Sequence, residues 1–357
     1  MLIETCRLSV IYKYMHPHQT SITSLIEDFN DNKAMALFVG TGIDMTNCYP
    51  QDYDVKDEEI KKYQITWGSL LEELIDNAGI DEKERESLKT FTNDLQAAIL
   101  KHLLGNSYIP IIQTWLYKRC NRRVLEDAYC LYDNFRHGLC ELEEVPFYSL
   151  FVVAETILLQ SSIKTVVTQN YDNFLTETIK ILIENNENNQ YPYRNINAID
   201  VYDGWMDEKL VENTFLIYHV HGFIPPVSEL RPKPESNHIV LSQEEFHELG
   251  QHVYSWQNST QLYYLTHYTC LFLGLSLNDL TSIRVLKYAD VGKNSEKIYA
   301  LMAYDKDSDD IKKHSVDLKA AYYETQNIHV IVEENGFKGF YKTIRETIIN
   351  KILKHGN

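Results

Sequence analysis

Four amide or carboxylate side chains, Gln169, Asn170, Asp172 and Asn173, follow directly on the run Thr165 to Thr168. That run has the composition of a short buried parallel strand, and Phe174, Leu175, Ile179, Leu182 and Ile183 continue with helical spacing. The polar group therefore stands at a strand tip, and in open α/β sheets ligands bind beyond the carboxyl ends of strands. Asn or Asp ahead of an apolar run is also a helix cap, so capping and ligand contact both account for part of the stretch. A second group is His219-Val220-His221-Gly222, at the end of the strand-like run Thr214 to Val220. Imidazole titrates near neutral pH, which suits one of these histidines to act as a base. Alternation along a continuing strand would put both rings on one face, the beginning of a metal site, although no third ligand follows in the sequence. The third group is Gly40-Thr41-Gly42, which ends the apolar run Ala34 to Val39. Glycine there lets backbone N–H groups reach a phosphate, and it serves an ordinary tight turn equally well. Neither the third glycine of a G-x-G-x-x-G fingerprint nor the lysine of a Walker loop follows. A further tip, Gly274-Leu275-Ser276, brings a glycine and a hydroxyl after Tyr268 to Leu273. Glu244 and Glu245 are a carboxylate pair, but Ser242 and Glu245 have the spacing of a capping box, which accounts for them without acid–base work.

Groups at several strand tips converge only if the strands are parallel. Runs at 34–39, 165–168, 214–220, 268–273, 298–303 and 328–332 read as strands, each followed by a segment of crossover length. This is the pattern of a doubly wound α/β fold with a parallel sheet. His238 to Leu241 reads as one more short strand, and 195–204 as loop or weak strand. Helical periodicity fills Trp67 to Leu159, far longer than an ordinary crossover, so a large helical insertion or subdomain spanning 67–160 is expected within a single domain of residues 1–357. Cys48 to Tyr63 is polar and reads as an exposed excursion over the first crevice that orders when a ligand binds. Trp115, Tyr117, Arg119, Arg122 and Arg123 mix aromatic and basic character, but the surrounding sequence does not continue it, and an amphipathic helix with solvated arginines is the expectation.

Composition bounds the function. The chain has 357 residues and a formal net charge of -17, which argues against non-specific nucleic-acid binding as its main task. None of the six cysteines forms a C-x-x-C pair, and the ten-residue steps between Cys120, Cys130 and Cys140 match no usual zinc spacing, so free thiols in a reducing, cytoplasmic compartment are expected. Neither a signal sequence nor a membrane-spanning run of apolar residues is expected.

Taken together, the tips resemble the sirtuin family, and most closely its divergent zinc-free branch in bacterial anti-phage defence systems. G-T-G-I-D at Gly40 resembles the family's phosphate-cradling Gly-Ala-Gly turn, T-Q-N-Y-D at Thr168 its nicotinamide and ribose motif, H-V-H-G at His219 the segment ending in the active histidine and glycine, and F-L-G-L-S-L-N-D at Phe272 the late loop that touches the dinucleotide. I-T-W-G-S-L-L-E-E-L and I-V-L-S-Q-E-E-F also look like segments of that branch. The resemblance spans roughly residues 35 to 290. It implies a Rossmann-like sheet with Gly40, Thr41 and Gly42 at the pyrophosphate of NAD+ and Gln169 within the nicotinamide and ribose motif. Asn170 would hold the ribose and position a water, and Asp172 would accept from the nicotinamide carboxamide. His221 would act as base or orienting group, and Gly274 and Ser276 would contact the adenosine half.

The expected activity is NAD+ glycohydrolysis to nicotinamide and ADP-ribose, used to deplete NAD+ during infection. A sirtuin-like protein deacylase or ADP-ribosyltransferase, and a non-catalytic NAD+-binding regulator, are the alternatives. Two departures stand out. Asp44 occupies a position where the family commonly has serine, and a carboxylate beside a pyrophosphate is unfavourable unless it points away. The four-cysteine zinc module is missing, so no zinc is expected and deacylation is disfavoured. With little room for a fused sensor, control by assembly is expected, through a homo-oligomer or a second protein such as a ring-forming ATPase, with the helical block as the contact surface.

Overall fold

The computed structural model describes residues 20–44, 65–142, 145–186, 190–204, 212–226, 239–275, 277, 280–289, 297–304, 309–333 and 336–350. The polar excursion expected over Cys48 to Tyr63 lies outside these. Seven strands, β1 (Met35–Val39), β2 (Ile163–Thr168), β3 (Asn197–Val201), β4 (Thr214–His219), β5 (Thr269–Leu273), β6 (Ile298–Ala303) and β7 (Ile328–Glu333), form one sheet in the order β3-β4-β2-β1-β5-β6-β7. Every pairing is parallel. This is the doubly wound, Rossmann-like α/β fold.

The sequence explains which strands are central. Met35-Ala-Leu-Phe-Val and Thr269-Cys-Leu-Phe-Leu are buried at every position, as strands covered on both faces must be. They lie side by side, with Phe38 opposite Phe272 and the rings stacked 4.7 Å apart. One core layer holds Leu37, Val39, Val166, Leu271 and Leu273; the other holds Ala36, Phe38, Val167 and Phe272. From β1 the chain crosses to β2 on one side, and from β5 it moves to β6 on the other. The carboxyl ends of β1 and β5 thus form the switch point where such sheets open a crevice.

Between β1 and β2 lie α2 (Trp67–Ala78), α3 (Glu82–Leu88), α4 (Asn93–Leu104), α5 (Tyr108–Arg119), α6 (Arg122–Arg136) and α7 (Tyr148–Leu159), preceded in the chain by α1 (Thr20–Asn30). Their starts are capped locally. Ser69 N–H donates to Thr66 Oγ1 at 3.1 Å while Thr66 N–H donates to Ser69 Oγ at 3.0 Å, and Asp81 and Glu84 repeat the arrangement on α3. Helix α7 is buried from Tyr148 to Leu158, the mark of a core helix rather than a surface one. Trp115 belongs to the core, Arg119 stacks on its ring at 4.6 Å, and Arg122 pairs with Glu126, Glu177 and Glu184. Trp115, Arg119 and Arg122 are thus engaged in packing and ion pairs, while Arg123 is exposed.

The remaining helices are α8 (Phe174–Glu184), α9 (Gln243–Gln251), α10 (Trp256–His267), α11 (Leu280–Tyr288), α12 (Asp310–Glu324) and α13 (Phe337–Ile344), which continues as a π-helical turn over Arg345–Ile349. Residues 197–201, where the sequence allows loop or weak strand, form an edge strand, whereas 239–241, expected as a short strand, joins no ladder among the described residues. The second segment lies beyond the tip of β4, where Val240 N–H donates to His221 O at 2.8 Å, and among the described residues it pairs with no strand. Glu245 caps α9, accepting from Ser242 N–H at 2.7 Å and Leu241 N–H at 2.9 Å, and it also contacts Lys101. No helix among the described residues is long and apolar enough to cross a membrane.

Candidate active site

The three glycines meet at the switch point. Gly40 N–H donates to Leu273 O at 2.9 Å and Gly42 N–H to Gly274 O at 3.0 Å, which ties the β1 and β5 turns together. A Cβ on Gly42 would lie 2.6 Å from Gly274 Cα, and one on Gly274, at φ +66°, would lie 2.6 Å from Ile43 N. Close approach of backbone to backbone therefore requires glycine here. Ile43 N–H and Asp44 N–H turn back to Gly40 O and Thr41 O in a short 3₁₀ turn. Four N–H groups of this turn are thus bonded within the protein, and in this form the turn does not present them to a phosphate. Thr41 and Gly42 are partly exposed, and Ser276 lies outside the described residues.

Asn170 is gripped from several sides at the tip of β2. Its N–H donates to Thr168 Oγ1 at 3.0 Å, and that hydroxyl in turn donates to Val39 O at 3.1 Å. Its Nδ2 donates to Asp44 Oδ2 at 2.7 Å. Its carbonyl oxygen lies 2.8 Å from His219 Nδ1. The amide Oδ1 has no hydrogen-bond partner among the described residues, although Asn170 is only 5% exposed. A buried acceptor in that condition is costly unless a ligand or water meets it.

The second oxygen-rich group surrounds it. Asp172 Oδ1 accepts from Phe174 N–H at 3.0 Å, so Asp172 rather than Asn173 makes the side-chain bond at the start of α8. Burial raises the Asp172 carboxyl above the ordinary range, against the pull of Phe174 N–H and of His219. Burial, reinforced by the Asp172 charge, raises the Asp44 carboxyl well above the ordinary range as well. His219 Nε2 lies 2.8 Å from Asp200 Oδ1, which also accepts from Thr176 Oγ1 at 2.6 Å. Burial alone would lower His219, but the bonds to Asp200 and Asn170 outweigh it and hold the imidazole above its usual value.

His219 and His221 do not share a face, because β4 ends at His219 and Gly222, at φ +96°, closes a turn through its N–H to His219 O. The His219 ring meets Phe223 and Asp200, while the His221 ring stands edge-on to Phe246 at 5.5 Å and is 4% exposed. Tyr171 anchors this side through its hydroxyl to Val240 O and its carbonyl to Ile224 N–H, both at 2.7 Å. From the helical block, Tyr117 donates to Ile224 O at 2.7 Å. Among the described residues, no three His, Cys, Asp or Glu side chains cluster as metal ligands would.

Of the residues singled out in the sequence, Gly40, Gly42 and Gly274 meet in one backbone junction, and Asn170, Asp172 and His221 stand on the adjoining tips of β2 and β4. Gln169 turns to the other face, where with Gln261, Phe38, Val220, Leu265 and Leu275 it lines a narrow apolar cleft. Asp200 and the hydroxyl of Thr168 join the site without a signal of their own in the sequence. Asp200 sits mid-strand in an unpromising run, and only the β3–β4 register brings it under His219.

No curated protein matches the chain. Residues 164–331, from β2 into β7 and so including Asn170, Asp172, His221 and Gly274 but not the Gly40 turn, match the family model described as SIR2-like domain, and this supports a sirtuin-like family and NAD+-related chemistry for the chain.

Proposed function

We propose that this chain is an NAD+ glycohydrolase that breaks the nicotinamide–ribose bond. The observation that carries the reading is Asn170 Oδ1, a buried acceptor aimed away from Asp44, on a turn adjoining His221 and inside the SIR2-like match. In the reaction the electron pair of the C1′–N bond leaves with neutral nicotinamide, positive character develops on the ribose, and water oxygen bonds to C1′ as its proton departs. The protein's task is to hold the ribose, favour the developing cation and aim the water. Asn170 orients water or a ribose hydroxyl through Oδ1 without competing as a charged base. His221 orders a ribose hydroxyl or takes the proton, and Asp172 reads the carboxamide. Asp44 commits its carboxyl to Asn170, and burial favours its protonated form, which weakens the like-charge objection to a nearby pyrophosphate.

A second reading, a non-catalytic NAD+-binding regulator, is favoured by the burial of the site: Asn170, Asp172 and His221 are each 5% exposed or less. Incubation of the purified chain with NAD+, alone and with the protein encoded beside it, followed by chromatography, separates the readings. Free ADP-ribose and nicotinamide without an acyl acceptor are expected, with Asn170→Ala and His221→Ala each reduced about 100-fold or more while folded. Dependence on an acyl-lysine peptide, transfer of ADP-ribose to protein, or binding without cleavage would overturn the proposal.

We further propose that the enzyme acts in the cytoplasm in anti-phage defence and is controlled by assembly, as a homo-oligomer or with a partner such as a ring-forming ATPase. The helical block exposes Phe91, Leu103, Ile109 and Leu139, apolar side chains suited to a contact surface. Charged substitutions at these positions should change oligomer size and NAD+ cleavage together; unchanged values for both would reject the surface.

A further inference from the structure

We propose that Asp200 and His219 form a positioning pair that fixes the peptide of Asn170 from beneath the site. The inference rests on the NAD+-cleaving reading and extends it to two residues that touch no substrate. Both ring nitrogens of His219 face oxygens at 2.8 Å: Nδ1 the Asn170 carbonyl, Nε2 the Asp200 carboxyl. A carbonyl only accepts, so Nδ1 carries a proton. An ionised carboxylate also only accepts, so with Asp200 ionised the ring is an imidazolium and the pair shares one proton between β3 and β4. Thr176, in the first turn of α8, steadies Asp200 from the other side.

The result is a bracket across three adjacent strands. Thr168 holds the Asn170 N–H, His219 its carbonyl, and Asp44 its Nδ2, which leaves Oδ1 as the polar atom of Asn170 turned to a ligand. Rotation of the 170–171 peptide would swing that oxygen away, and a displacement of about 1 Å costs on the order of 100-fold in rate. A histidine whose only role was core packing would not need a carboxylate on its far nitrogen.

Steady-state kinetics of the full chain, in whichever assembled state cleaves NAD+, tests the pair. His219→Ala and Asp200→Ala should lower kcat at least tenfold with KM changed less than threefold. Asp200→Asn should remain within threefold of wild type, because its amide can donate to Nε2 of a neutral ring that still donates to Asn170. Should His219→Ala fail to fold, His219→Gln and the two Asp200 variants carry the comparison. Wild-type kcat in the His219 variants, or Asp200→Asn falling as far as Asp200→Ala, would overturn the positioning role while the NAD+-cleaving reading stands. Absence of cleavage by wild type overturns that reading and the kinetic role together. Independently of activity, ¹⁵N-histidine NMR should show one doubly protonated ring at pH 7.5 that is lost in His219→Gln and in Asp200→Asn; a wild-type spectrum without it would overturn the shared-proton pair.

Discussion

Asp44 brings a third carboxyl into a neighbourhood that already holds Asp172 and Asp200, and it is 1% exposed. Its folded-state pKa is raised above the ordinary value of 3.8 by burial and by Asp172. Between that value and its folded pKa the unfolded chain ionises while the folded one keeps the proton, so the native state binds more protons and stability falls as pH rises, by about 1.4 kcal/mol per pH unit for each such group. Asp172, also raised, acts in the same direction. Asp44→Asn keeps an acceptor for Asn170 and removes the titration. The variant should gain stability relative to wild type progressively from pH 4 toward neutrality, as urea melts across that range would show; a difference independent of pH would contradict an Asp44 carboxyl held protonated. Asn170 and Asp172 were legible in the sequence because a strand followed at once by amides and carboxylates is a pattern of types and spacing. The bond from Asp44 to Asn170 was not, since 126 positions separate the two and only the β1–β2 register joins them.

Among the elements, the paired turns after β1 and β5 are the least tolerant of change. Gly274→Ala would force a side chain into a left-handed backbone and against Ile43 N, so a loss of about 3 kcal/mol is expected, combining left-handed strain with overpacking, and differential scanning calorimetry should show it. Gly79→Ala, at φ +67° but with open space around it, should cost less. Central strands were readable because both faces are buried and their sequences are continuously apolar. The edge strand β3 was readable only as loop or weak strand, because Asn197-Ala-Ile-Asp-Val mixes exposed and buried positions and its pairing with β4 supplies what its sequence lacks. The run at 239–241 shows the converse: it has a strand's apolar composition yet joins no ladder among the described residues.

At the scale of the whole molecule, the helical block and the chain's last described helix are joined by a buried charge cluster. Glu155 of α7 accepts from Tyr132 at 2.5 Å and Tyr193 at 2.9 Å, with Arg136 at 3.7 Å and Arg345 at 4.0 Å, and Arg136 stacks on Tyr191 at 3.7 Å. Glu155→Gln leaves two guanidinium groups without their shared carboxylate and should cost about 3–5 kcal/mol, read as a lower denaturation midpoint. The sheet order has another consequence, for the growing chain on the ribosome. Leu37 pairs with Val166 on one side and Leu271 on the other, so the central strand is made first and can be completed only after more than two hundred further residues have emerged. Until then Met35–Val39 is an apolar segment with two open edges, the kind of stretch that invites association between chains. Nascent chains arrested before β5 should therefore bind chaperones or aggregate, and release should come only once Thr269–Leu273 closes the second edge.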